Sequence, residues 1–203
     1  MRRALVGVVA VAVAAIGAPA ALAAKVLRVG TYKGIPGQYT SIQAAVNAAK
    51  PGDWILVGPG DYKEHSGESP KGRPDLTAGV LITKAGLYIR GMERNKVIVD
   101  GTKPGSAPCS SKASAQEFGP KGSKGPLGLN GLLVFKANDV WIQNLTVCNY
   151  LHGSGSTGNE VWWNGNDGSG KVGGKGYLGS YLNATSTFFK TESTAAQYGI
   201  FSS

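Results

Sequence analysis

The residues best suited to contact a ligand lie in one short segment, residues 160–168, which reads EVWWNGNDG. Its two adjacent tryptophans stand in a Gly-rich stretch where both indoles are hard to bury. Flat aromatic faces stack on sugar rings, and Asn and Asp side chains hydrogen-bond sugar hydroxyls. We therefore predict a carbohydrate-binding site at Trp162, Trp163, Asn164 and Asp167. The alternative is that one indole packs against the outside of the fold while the polar residues make ordinary turns.

The histidines and acidic residues do not form a familiar catalytic motif. His65 stands in a polar turn, and His152 has no carboxylate partner near it in sequence, so a proton-transfer role is the weaker interpretation for both. Asp100 and Asp139 lie beside predicted strands, where each has a turn role. Neither a metal ion nor a cofactor is predicted, and no catalytic residue is assigned.

The two cysteines predict a disulfide. Cys109 and Cys148 are an isolated pair in a chain that we expect to be exported, and such pairs are most often oxidised. The bond would close a loop of about 40 residues, which contributes roughly 3–4 kcal/mol in the chain-entropy model. A zinc site is disfavoured because no His or carboxylate stands at suitable spacing.

The N-terminus predicts export. Arg2 and Arg3 precede an apolar run, and Ala21 and Ala23 give the small-x-small pattern of a signal-peptidase site, so residues 1–24 are predicted to be a cleaved signal peptide. A membrane anchor is the alternative, but the run is shorter than the ~20 residues that a spanning helix needs. The predicted location is therefore extracellular or in the cell envelope, with no membrane span after cleavage.

Composition narrows the class of protein. The 203 residues include 31 Gly, and Lys and Arg outnumber Asp and Glu by 21 to 12. Frequent Gly between short β-branched runs is typical of an all-β protein rich in turns. The positive charge favours polyanionic partners such as uronate polysaccharides. Nucleic acid is disfavoured because the chain is predicted to be exported and its basic residues are scattered singly.

Short apolar runs of three or four residues follow one another at intervals too short for crossover helices. Such spacing predicts a solenoid in which three strands make one coil and the coils stack in register. Two successive coils are predicted, and their strands lie at residues 80–82, 87–89 and 97–99, then at 132–134, 140–142 and 145–147. Residues 102–130 contain few apolar side chains and are predicted to leave the coil, as are residues 153–176.

One amphipathic helix is predicted within residues 40–50, capped by Thr40 or Ser41 and completed by Lys50 at the negative end of its dipole. A single helix near the start would cover an open end of the solenoid. The last strand pattern is still unfinished at Ser203. We therefore expect residues 25–203 to be the N-terminal part of a longer solenoid domain.

These segments resemble the pectin-lyase-like superfamily. Residues 39–46 (YTSIQAAV), 51–53 (PGD) and 59–64 (PGDYKE) are similar to its N-terminal cap and first coil, and residues 138–147 (NDVWIQNLTV) resemble its recurring rung. Secreted bacterial proteins with right-handed β-helix repeats are the most similar group. The resemblance implies an all-β, right-handed parallel β-helix with one N-terminal capping helix. It does not imply one activity, because this scaffold carries many.

The sequence thus predicts a secreted β-helix protein that binds or modifies extracellular polysaccharide, of uronate type or another. If it is an enzyme, the resemblance implies a polysaccharide lyase or a glycoside hydrolase, although the motifs of the best-known family activities are not found. The alternative is a non-catalytic surface protein of the cell envelope that uses its loops for adhesion or protein binding. The sequence does not predict an oligomeric state.

Overall fold

The computed structural model describes residues 23–155, 157–165, 173–189 and 198–203. Nearly all of the predicted signal peptide lies outside this part of the chain and stays a prediction. In chain order the elements are β1 (Val26–Val29), β2 (Thr31–Tyr32), β3 (Ile35–Pro36), α1 (Ile42–Ala48), β4 (Trp54–Val57), β5 (Gly60–Tyr62), β6 (Ala78–Ile82), β7 (Tyr88–Gly91), β8 (Val97–Asp100), a 3-10 turn (Ala113–Ala115), β9 (Lys121–Gly122), β10 (Gly125–Pro126), β11 (Asn130–Phe135), β12 (Trp141–Gln143), β13 (Thr146–Cys148), β14 (Asn159–Asn164), β15 (Leu178–Ser180), β16 (Asn183–Thr185) and β17 (Tyr198–Ser202).

Most strands belong to three parallel sheets. Sheet I contains β1, β4, β7, β12 and β15, sheet II contains β5, β8, β13 and β16, and sheet III contains β6, β11, β14 and β17. From β4 onward the chain visits sheets I, II and III in that order and then returns to sheet I. The short hairpins β2–β3 and β9–β10 are antiparallel and stand apart from this order. In the described part of the chain, the predicted mostly β, parallel architecture with one α-helix is therefore confirmed.

The registers agree with the two predicted groups of strands. Ile142 lies beside Ile89 in sheet I, and Val147 lies beside Val99 in sheet II. Side chains alternate along each strand, and the inward ones from all three sheets form one buried cluster. This shared core fixes which side chains point outward from each sheet, and so fixes the positions of the candidate site residues.

Strand β14 was not predicted. It lies inside residues 153–176, where the sequence predicts a polar excursion, yet all six of its side chains are buried. The pattern NEVWWN does not alternate between polar and apolar residues because both faces of the strand are covered. Periodicity alone therefore gives no strand signal here.

Helix α1 is confirmed in type and begins with the predicted cap. The Ser41 hydroxyl accepts a hydrogen bond from the Ala44 N–H at 3.3 Å. The buried Glu64 carboxylate is a second acceptor, and the Ile42 N–H donates a hydrogen bond to it at 2.5 Å. The Gln43 N–H also donates to this carboxylate, at 3.4 Å, so three of the free N–H groups at the helix start are satisfied. Burial raises the pKa of Glu64, although hydrogen bonds from Ile42, Ser41 and Gln43 oppose that effect.

The prediction for the C-terminal end of the helix was wrong. Lys84, not Lys50, supplies the positive charge, and its ammonium donates to the carbonyl oxygens of Val46, Asn47 and Ala49 at 3.1, 2.6 and 3.0 Å. Lys84 follows strand β6 and is distant in sequence, so only the folded chain brings it to this end. The negative end of the helix dipole is therefore neutralised from sheet III.

The excursion at residues 102–130 is tied to sheet II. Cys109 and Cys148 form the predicted disulfide, with their Cα atoms 5.7 Å apart. Asn149 reinforces the tie by donating its side-chain N–H to the Ser110 carbonyl at 3.0 Å. Within the described part of the chain, no helix has the length and apolar character that crossing a bilayer requires.

Candidate functional site

The outer face of sheet I presents aromatic side chains in register. Alternation turns Ile55, Ile89 and Ile142 into the core, so their neighbours in each strand point outward. One row of outward side chains crosses the five strands, and it consists of Val26, Trp54, Tyr88, Trp141 and Leu178. We call this set the aromatic row.

The three rings of the aromatic row contact one another. The Trp54 and Tyr88 centroids are 5.1 Å apart, and those of Tyr88 and Trp141 are 4.7 Å apart, with both pairs tilted. Trp54 and Trp141 meet edge to face at 6.3 Å. These contacts hold the rings in place, and each ring keeps part of its surface in solvent. A preformed aromatic surface of this kind binds without a large entropic cost of ordering its side chains.

A second outward row runs beside the first and carries charge. It consists of Arg28, Leu56, Arg90, Gln143 and Ser180. We call it the arginine row. Both arginines are exposed, and among the described residues neither takes part in a salt bridge. Gln143 is held by a hydrogen bond from its side-chain amide to the Ser180 hydroxyl at 2.9 Å. The face therefore combines apolar rings with free guanidinium groups.

A groove lies elsewhere, between helix α1 and strand β5, and has a volume of about 880 Å³. Its polar lining includes Asp61 and Lys63 on the strand side. The Lys63 ammonium lies 2.9 Å from the Asp61 carboxylate and 2.6 Å from the Asp100 carboxylate. Asp100 is fully buried, and it also accepts backbone N–H groups from Thr102 and Cys109.

The two carboxyls in this cluster have opposite pKa shifts. Burial raises the pKa of Asp61, and the nearby charge of Asp100 adds to that rise although Lys63 opposes it. Burial alone would raise the pKa of Asp100 as well, but hydrogen bonds from Lys63, Thr102 and Cys109 hold it below its ordinary value. Asp100 is therefore the carboxylate that stays ionised, and Asp61 is the one that gains a proton more readily.

The structure places three of the four predicted carbohydrate-binding residues inside the fold. Trp163 points into the core and is 3% exposed, while Trp162 lies on the outside of sheet III and is 7% exposed. Asn164 is buried beside them, and Asp167 lies outside the described residues. Sugar contact by this segment stays a prediction, but it would require these indoles to leave the positions in which they are buried.

The remaining candidates have structural contacts. His152 is half-buried, and its Nδ1 lies 3.1 Å from the Thr157 carbonyl oxygen. Asp100, Cys109 and Cys148 offer atoms close enough to hold a metal ion, but both sulfurs are already joined in the disulfide. This group is therefore a structural tie between the excursion and sheet II.

The aromatic row was missed in the sequence because its members are far apart in the chain. Trp54 and Trp141 lie far apart in the sequence, and the residues around each of them do not indicate that the two are neighbours in the fold. The available signal was the strand register. Aligning the sequence on Ile55, Ile89 and Ile142 would have placed the two indoles and Tyr88 in one row.

Comparison with known proteins gives little beyond this geometry. No family model matches the chain, and no curated protein matches it. Among solved structures, a pectin methylesterase variant in complex with a hexasaccharide is similar, with 23% identity and a TM-score of 0.36. The match covers 61% of this chain and 30% of that one. We draw no functional inference from a likeness at this level.

Proposed function

We propose that this chain is an exported, right-handed parallel β-helix protein that binds an extracellular polysaccharide on the outer face of sheet I. The cyclic order of strands through three parallel sheets supports the β-helix. The disulfide supports an oxidising compartment, since such bonds persist outside the cytosol. These features agree with the predicted signal peptide and with a location outside the cell or in its envelope.

The aromatic row is the observation that carries the binding proposal. Neighbouring strands in a sheet lie about 4.8 Å apart, so successive rings advance by a step comparable to one sugar ring in an extended chain. The apolar faces of pyranose rings stack on Trp and Tyr, which also fix the orientation of the sugar. A polysaccharide lying across the strands would therefore meet a ring at Trp54, Tyr88 and Trp141 in turn.

The arginine row gives the proposed ligand its charge. Guanidinium groups form paired hydrogen bonds with carboxylates, and these bonds are stronger than those between neutral groups. Arg28 and Arg90 are two strands apart, so both can reach acid groups along the same bound chain. The whole sequence carries a formal charge of +9, and removal of the predicted signal peptide with Arg2 and Arg3 leaves +7, which would attract a polyanion from a distance. The preferred ligand is therefore an acidic, uronate-type polysaccharide.

Binding to polygalacturonate, measured by isothermal titration calorimetry with neutral dextran as the reference polymer, tests the proposal. The Trp54→Ala/Trp141→Ala variant should lose most of its affinity, by roughly 10-fold or more if each stacking contact contributes about 1 kcal/mol. Phe189→Ala is the matched control, because Phe189 is also aromatic and is 71% exposed but lies away from the row.

Two results would contradict the proposal. One is the same affinity for polygalacturonate in the double variant as in the unsubstituted protein. The other is the absence of binding to any acidic polysaccharide by the folded protein, which would favour the adhesion alternative instead. Equal losses in the double variant and in Phe189→Ala would show that the effect is not specific to the aromatic row.

A further inference from the structure

Lys63, Asp61 and Asp100 form a charged cluster that the proposed binding face does not use. Tyr62 pairs with Val99 across strands β5 and β8, so the residues that follow them, Lys63 and Asp100, lie side by side on neighbouring strands. The Lys63 and Asp100 side chains are 13% and 0% exposed, and that of Asp61 is 25% exposed. An amine and a carboxyl are thus held together away from solvent, with a second carboxyl beside them.

We propose that this cluster is the site of an intramolecular isopeptide bond, formed between the Lys63 Nζ and the Asp100 side-chain carboxyl with Asp61 as the proton carrier. The two reacting groups are already in contact, with Nζ 2.6 Å from the Asp100 Oδ2. Reacting groups held in this way gain effective concentrations of about 10⁵–10⁸ M. That gain offsets the unfavourable equilibrium of joining an amine and an acid in dilute water.

The surroundings of Asp100 suit attack at its carboxyl carbon. The Thr102 N–H donates to Oδ1 at 2.7 Å, and the Cys109 N–H donates to Oδ2 at 2.6 Å. Fixed backbone donors of this kind stabilise the negative oxygen that develops as an amine adds to a carbonyl carbon. The same donors that hold the excursion in place thereby act as an oxyanion site.

Asp61 supplies the proton transfers. Its carboxylate lies 2.9 Å from the Lys63 Nζ, close enough to take a proton from the ammonium and free the lone pair that attacks. It passes this proton to the Asp100 carboxylate, so that a neutral amine attacks a neutral carboxyl carbon. It then carries a second proton from the same nitrogen to the Asp100 oxygen, which leaves as water. Burial raises the pKa of Asp61, with the charge of Asp100 adding to the rise, so the carboxyl accepts the proton readily. Asp61 remains in its original state after one cycle.

The reaction balances without a co-reactant. The Lys63 ammonium and the Asp100 carboxylate together contain the atoms of one amide and one water. The Nζ–Cγ bond forms, one Cγ–O bond breaks, and the oxygen leaves as water after receiving two protons from nitrogen. A buried ion pair is costly to hold away from water, and the neutral amide removes both charges. The product would join two strands of sheet II beside the disulfide.

Mass spectrometry of the full chain tests this inference independently of polysaccharide binding. After the disulfide has been reduced and both cysteines alkylated, the measured mass should be one water lower than the mass calculated for the alkylated sequence. Protease digestion should give a branched peptide joining residues 63 and 100. Lys63→Arg should show neither feature. Asp100→Asn should still cross-link, but with the loss of one ammonia, which separates failure of the chemistry from failure of folding.

The Asp61→Asn variant tests the role of the proton carrier. Loss of an acid–base group typically slows such a step by roughly 100-fold or more, so newly purified Asp61→Asn protein should be mostly uncross-linked. Circular dichroism would establish that this variant is folded. A folded, unsubstituted protein with its full sequence mass and no branched peptide would overturn the proposal. Complete cross-linking in Asp61→Asn would overturn the part assigned to Asp61.

Discussion

The outer faces of sheets I and III carry similar rows of large side chains, yet only one row is open to solvent. On sheet I the aromatic row keeps part of each ring exposed. On sheet III a row in register across all four strands is mostly covered, and it consists of Leu81, Leu133, Trp162 and Phe201. Leu133 is 0% exposed and Trp162 is 7% exposed. We call this set the covered row.

The difference lies in the connections rather than in the strands. Leu76, which comes from the segment between β5 and β6, packs into the same cluster as Leu81, Leu133 and Trp162. Among the described residues, the rings of the aromatic row make aromatic contacts with one another and stay partly exposed. An outward row of apolar side chains is therefore a second core where a loop folds over it, and remains open for the proposed ligand where the rings stay exposed.

Truncation should destabilise the protein most at the covered row. Leu133→Ala removes a fully buried side chain and should lower the free energy of unfolding by about 2–5 kcal/mol. Tyr88→Ala, the matched change in the aromatic row, removes two ring contacts and should lower it by about 1–3 kcal/mol, at about 0.5–1.5 kcal/mol for each contact. Urea unfolding followed by circular dichroism measures both values. Equal losses would mean that the two faces are equally buried and would remove the basis of the comparison.

A pH effect should follow from the same burial on sheet III. Glu160 lies two residues before Trp162 and is fully buried, and one of its carboxylate oxygens accepts the Tyr150 N–H at 3.2 Å. Burial raises the pKa of Glu160 well above its ordinary value of 4.5, although hydrogen bonds from Tyr150 and Asn149 oppose the rise. Between the unfolded and the folded pKa, the folded chain therefore holds a proton that the unfolded chain has lost.

The free energy of unfolding should consequently fall as pH rises through this window. The contribution of Glu160 is fully present below pH 4.5 and is lost as pH approaches the folded pKa, by at most about 1.4 kcal/mol per pH unit. Glu160→Gln keeps the shape without the ionisation and should flatten this slope. Urea unfolding at a series of pH values measures it. An unchanged slope in Glu160→Gln would contradict the assignment.

Much of the fold could be predicted from the sequence because each strand carries its own signal. Strands β6 to β8 and β11 to β13 overlap the two predicted groups of strands, which pair in the expected register. Helix α1 and the disulfide were also predicted. These features depend on local pattern or on residue type. The position of Lys84 at the helix end could not be predicted, since it depends on how two distant segments pack.

The candidate site was harder to predict, because exposure is not a local property. Trp162 and Trp163 are adjacent in a Gly-rich stretch and so attracted attention, but strand β14 buries both. Trp54 and Trp141 looked like ordinary strand residues, and only their register makes them neighbours. Asp61, Lys63 and Asp100 likewise come together through the stacking of β5 on β8. A sequence read one segment at a time cannot show such contacts.

Tryptophan fluorescence tests the difference in exposure between the aromatic row and strand β14 while both faces stay folded. The four tryptophans of the chain divide evenly, since Trp54 and Trp141 lie in the aromatic row while Trp162 and Trp163 are buried in strand β14. Iodide quenches only the indoles that it can reach, and the arginine row should attract this anion to the exposed pair.

The Trp54→Phe/Trp141→Phe variant should therefore retain fluorescence that iodide barely quenches, whereas Trp162→Phe/Trp163→Phe should be quenched more strongly than the unsubstituted protein. Acrylamide, which is neutral, should give the same ranking with a smaller contrast because it is not drawn to the arginines. The opposite ranking would mean that the strand β14 indoles reach solvent. The carbohydrate site would then belong at Trp162 and Trp163, where the sequence alone had placed it.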